Sequence, residues 1–91
     1  MTSRDVVFRD RYGLHPRSAH RIGELLKGAM ARVTMEDLDG ARSPVDARSL
    51  LALISSGIRS GGRIRVTADG TDEEAVLAAL CDLLEAGVCH P

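Results

Sequence analysis

The chain has 91 residues, enough for one domain with a small core, and 44% of them are apolar. It carries 12 basic and 13 acidic residues, one Phe, one Tyr and no Trp. The near-neutral charge and scarce aromatics argue against a nucleic-acid partner, which needs a basic face and, for single strands, stacking platforms. No run approaches the ~20 apolar residues of a membrane helix, so membrane insertion is not expected. The N-terminus is charged within four residues and lacks an apolar leader core. Cys81 and Cys89 have no CxxC or Cys/His ligand spacing, so neither a metal site nor a cofactor is expected. A reduced, cytoplasmic protein is the expectation.

The apolar spacing switches between period 2 and period 3.6, which orders the elements. Residues 3–9 read as a strand with Val6 and Phe8 inward, and Gly13 marks a loop over residues 10–15. Residues 16–29 read as a helix burying Ala19, Ile22, Leu25, Leu26 and Ala29, with Gly28 fraying or ending it. Pro16 suits the first helical position, where a missing N–H costs nothing, and this puts His15 at the N-cap. Residues 31–37 alternate, with Ala31, Val33 and Met35 inward; Met30 and Met35 read as core or core-edge filler.

Asp39-Gly40 signals a tight turn into a strand over residues 41–46. Residues 48–56 read as a short helix with Ser49 as its cap and Gly57 as its C′ residue. Residues 63–68 alternate again, burying Ile64, Val66 and Ala68. Asp69–Asp72 turn and cap a last helix over residues 73–86, in which Glu73 and Glu74 favour the first turn and Cys81 reads as a small buried apolar residue. His90 falls in a terminal tail. The order β-α-β-β-α-β-α predicts a two-layer open-faced sandwich, a four-stranded antiparallel sheet covered on one face by helices. A ferredoxin-like arrangement with an extra helix is the rival.

The helix mouth at residues 15–18 carries the chemistry. The first N–H groups of a helix have no intrahelical partner and lie at the positive end of its dipole, which suits an anion. A neutral imidazole there can act as a nucleophile towards phosphorus, and Arg17 can add a charge-assisted contact to the oxygens. By itself such a histidine is more often a surface residue or a weak cap.

Gly13-Leu14-His15-Pro16-Arg17-Ser18-Ala19 resembles the active-site motif G-[LI]-H-x-R-P-A of HPr, the histidine-containing phosphocarrier protein of the phosphoenolpyruvate-dependent sugar phosphotransferase system. The resemblance runs the length of the chain, and Ala47-Arg48-Ser49-Leu50 resembles the family's second site. It implies that His15 accepts a phosphoryl group at Nδ1 from enzyme I and passes it to enzyme IIA proteins, with Arg17 as the catalytic helper and Arg17 and Ser18 as phosphate-binding residues. It also implies a regulatory phosphorylation at Ser49 by HPr kinase/phosphorylase.

Two departures stand out. The family's usual proline is replaced by Ser18 while a proline stands at Pro16, which deletes one N–H and restores another, altering the donor geometry. The turn over residues 37–44 is also about three residues longer than usual. Leu50, Leu51 and Ile54, with Arg48 beside them, read as a partner-docking patch, and Arg21, Lys27 and Arg48 as its basic rim. His20 is expected to play no part. A monomer suits a shuttle. The alternatives are an HPr-like regulatory protein serving a nitrogen or dihydroxyacetone-kinase phosphorelay, and a small-molecule-binding module without phosphotransfer.

Overall fold

A computed structural model describes residues 1–10, 13–40 and 43–87. Its elements are β1 (Thr2–Val7), α1 (Pro16–Leu26), β2 (Arg32–Asp37), β3 (Val45–Asp46), α2 (Leu50–Ile54), β4 (Arg63–Asp69) and α3 (Glu73–Ala86), the expected order. The four strands form one antiparallel sheet in the order β1-β4-β2-β3. Val6, Ile64, Val66, Ala68, Val33 and Met35 point from it into one core. Ala19, Ile22 and Leu26 of α1 and Leu77, Leu80, Cys81 and Leu84 of α3 meet them from above. The opposite sheet face is polar: Arg65 Nε donates to Asp5 Oδ1 at 2.8 Å, and the hydroxyls of Ser3 and Thr67 bond at 2.9 Å. Strict alternation on β4 puts these two faces back to back, as the period-2 pattern requires.

Several boundaries and positions differ from expectation. Helix α1 stops at Leu26, with Lys27 as its C-cap, three residues before the expected end. The chain must turn there to enter β2, and Leu25 and Met30, expected to be apolar filling, are 39% and 79% exposed. Between β2 and the two-residue β3 the chain passes through residues 38–44, a wider connection than a tight Asp39-Gly40 hairpin. Residues 41 and 42 of the expected strand lie outside the described residues, as do Cys89 and His90. Helix α2 ends at Ile54 with Ser55 as its C-cap, so Gly57, at φ 76°, stands two residues past the cap rather than at C′.

The turn joining α1 to β2 is held from two sides by charged side chains. Arg48 donates from Nη1 to the Ala31 carbonyl at 2.7 Å, and from Nη2 to the carbonyls of Ala29 at 2.6 Å and Leu26 at 3.2 Å. Asp72, expected to cap α3, makes no side-chain cap there. Its carboxylate instead accepts the N–H groups of Met30 and Ala31, each at 2.8 Å. Ala31 is thus bonded by Arg48 through its carbonyl and by Asp72 through its amide. Gly70 lies so close that a Cβ there would sit 2.5 Å from the Ala31 Cα.

Candidate functional site

The loop leading to α1 is fixed against the 58–60 segment before the helix begins. The Leu14 amide donates to the Ile58 carbonyl at 3.2 Å, and the Gly13 amide to Asp10 at 3.3 Å. Gly13 has φ 75°, in the left-handed region, and a Cβ there would press on the Ile58 carbonyl at 3.3 Å. The glycine therefore lets the chain pass close to this backbone and delivers His15 to the helix mouth.

His15 is the N-cap, with the extended backbone (φ −136°, ψ 176°) that the residue before a proline favours, and Pro16 follows at N1. The Ala19 amide closes the first helical bond to the His15 carbonyl at 2.9 Å. Ser18 is fully buried, and its Oγ accepts the His15 N–H at 2.9 Å and donates to the His15 carbonyl at 3.0 Å. With the His15 ring turned to the Ser18 N–H, the pair takes the form of a capping box. His15 is half-buried and its Nε2 is closed off from solvent. Arg17 is exposed, and no hydrogen bond or ion pair engages its guanidinium among the described residues.

The structure therefore brings His15, Arg17 and Ser18 to one helix end. It gives the Ser18 hydroxyl a task the sequence reading did not foresee, since that hydroxyl is occupied by the His15 main chain. Ser49 lies elsewhere, as the N-cap of α2, where its Oγ accepts the Ala52 N–H at 3.1 Å. Leu50, Leu51 and Ile54 are 49%, 75% and 37% exposed, on a helix that packs against α1. Arg48, expected among the docking residues, commits its guanidinium to the three carbonyls of the α1–β2 turn. Arg21 and Lys27 are exposed on α1. His20, also exposed, sits 3.8 Å from Glu24 one turn on. The contacts of Asp72 and Gly70 with the α1–β2 turn escaped sequence reasoning because their partners lie about forty positions away.

Among the described residues no cluster of three or more His, Cys, Asp or Glu side chains could hold a metal ion, and no helix is long and apolar enough to cross a membrane. Cys81 is a core residue, and its burial pushes the thiol above its ordinary pKa.

Comparison with known proteins agrees with this geometry. The family model described as "PTS HPr component phosphorylation site" matches residues 2–86. The chain is 35% identical over 86 residues to the multiphosphoryl transfer protein of Salmonella typhimurium, covering 94% of this chain and 23% of that protein. It thus spans about a quarter of the length of that relative. Against the phosphocarrier protein NPr of Escherichia coli K12 it is 33% identical over 82 residues, covering 90% of this chain and 89% of that one. Among solved structures, HPr-C-His from Thermoanaerobacter tengcongensis superposes with a TM-score of 0.84 at 27% identity, over 94% of this chain and 93% of the other.

Proposed function

The chain belongs to the HPr phosphocarrier family, and from that premise we propose that it accepts a phosphoryl group on His15 from the phosphohistidine of enzyme I and hands it to the histidine of an enzyme IIA protein. The observation that carries this reading is the place of His15: a half-buried N-cap ring at the start of α1, with Nε2 turned away from solvent, beside the exposed Arg17. The Nδ1 lone pair forms the new N–P bond while the donor imidazole keeps the electron pair of the bond that breaks. Little covalent work falls to the protein; it positions the ring and offsets charge on the three oxygens.

Which donors offset that charge follows from the helix start. Pro16 has no N–H, and the Ala19 amide is bonded to His15. The Arg17 N–H lies at the positive end of α1, the Ser18 N–H is turned to the His15 ring and can pass to an oxygen of the N-phosphoryl group, and the Arg17 guanidinium adds a charge-assisted contact. Relative to a chain with proline at the place of Ser18, the anion-binding amides sit one residue further along.

The exposed Leu50, Leu51 and Ile54 support a docking face on α2 for enzyme I and enzyme IIA proteins, with Arg21 and Lys27 steering acidic partners. Ser49 at the start of α2 is the candidate for phosphorylation by HPr kinase/phosphorylase, and a monomeric, cytoplasmic shuttle fits this use. Phosphoenolpyruvate and enzyme I supply the test. The protein gains one acid-labile, base-stable phosphoryl group, on Nδ1, and loses it to enzyme IIA; a folded protein that gains none refutes the reading. A regulatory phosphorelay shares this chemistry and differs only in the acceptor.

A further inference from the structure

Both peptide units flanking the His15 Cα are fixed, and by two different residues. On the C-terminal side the Pro16 ring disfavours helical backbone at His15, which agrees with its ψ of 176°. On the N-terminal side no ring helps, and there the Ser18 hydroxyl accepts the His15 N–H at 2.9 Å. The same hydroxyl donates to the His15 carbonyl at 3.0 Å, an oxygen that also takes the Ala19 N–H. Ser18 Oγ is fully buried, with its donor and one acceptor position spent on His15.

We propose that Ser18 is a positioning residue: on the phosphocarrier reading, its hydroxyl clamps the His15 main chain so that Nδ1 faces the incoming phosphoryl group, and the hydroxyl itself is not a phosphate ligand. Pro16 and Ser18 then act as a pair, the ring setting ψ of His15 and the hydroxyl holding its N–H and C=O. With both in place, the side-chain torsions are the main freedom left to the imidazole, which limits the reorientation needed to reach the transfer geometry. The Ser18 N–H is turned to the His15 ring, so the residue meets His15 through both its main chain and its side chain.

Two readouts on Ser18→Ala test this. Amide exchange at His15, followed by NMR without any partner, reports the clamp directly; protection falls about tenfold when the acceptor is removed. Steady-state phosphorylation by enzyme I reports positioning; kcat falls about tenfold while KM stays within about twofold, because the docking helix is untouched. Ser18→Cys, close in volume and weaker in both bonds, lies between wild type and alanine on both scales, and it carries the test if the alanine variant fails to fold.

Unchanged protection at His15 overturns the clamp. Lost protection with unchanged kcat overturns its role in transfer, as does a rise in KM that accounts for the whole effect. A wild-type protein that takes no phosphoryl group refutes the carrier reading instead, and exchange at His15 keeps that result separate from failure of the clamp.

Discussion

Replacing Arg48 by methionine separates a fold role from a docking role. Arg48 holds three carbonyls at the turn between α1 and β2. The bond to Ala31 is short at 2.7 Å and partly buried, and losing such a charge-assisted bond costs about 1.5 kcal/mol. The bond to Leu26 is partly buried but long at 3.2 Å, and the bond to Ala29 is short at 2.6 Å but exposed, so water recovers much of each; together they cost about 1.5 kcal/mol. Freeing the long side chain returns about 1 kcal/mol of rotamer entropy. The net loss is about 2 kcal/mol, which for a domain of this size lowers Tm by about 8–16 °C. Arg48→Lys does not restore it, since one ammonium cannot reproduce a planar fork spanning three acceptors. Thermal unfolding by circular dichroism measures the shift. Phosphorylation of His15 at a temperature where the variant is folded should keep its wild-type KM for enzyme I. A Tm within about 2 °C of wild type, with KM raised, refutes the assignment and returns Arg48 to the docking surface.

Other outcomes follow from the same geometry. Gly70→Ala drives a Cβ to 2.5 Å from the Ala31 Cα, against backbone that cannot swing aside, and should cost about 3 kcal/mol by denaturant unfolding. Leu51→Glu, at a position 75% exposed, should leave Tm nearly unchanged while raising the KM of enzyme I about tenfold; an unchanged KM removes α2 from the docking face. Acid unfolding has a definite sign. The Met30 and Ala31 N–H groups hold the Asp72 carboxyl below the usual carboxylate range. The Arg63 N–H and guanidinium do so for Asp39, the Arg65 guanidinium for Asp5, and the N-terminal ammonium for Glu73. The unfolded chain therefore binds more protons than the native one as pH falls, so this contribution to stability is complete above about pH 5 and is lost progressively below about pH 4. Asp72→Asn should flatten that decline, and an identical acid profile would contradict the assignment.

What was legible in the sequence is tied to local pattern. Alternation in residues 31–37 and 63–68 marked β2 and β4 because each strand has one covered face, and the 3.6 period marked α3 to the residue. Gly13, His15 and Pro16 could be placed because a positive φ, an N-cap and an N1 proline are local demands. Arg48 and Asp72 could not. Their partners lie 17 to 42 positions away, and an exposed arginine or a pre-helical aspartate looks the same whether it faces water or bonds a distant turn. Met30 was misplaced for a related reason: apolar type suggests burial, but the tight entry into β2 leaves this side chain outside. Ser18 carried a partial signal, since a serine three residues after an N-cap can close a reciprocal pair, but the bonds of its Oγ to the His15 main chain are seen only in the structure.

Intact mass before and after incubation with phosphoenolpyruvate and enzyme I, run in parallel on wild type and His15→Ala, tests the central assignment most directly. A gain of one HPO₃ on the wild type, absent from the variant, is the predicted result. The same gain on both proteins, or on neither while both remain folded, would contradict it.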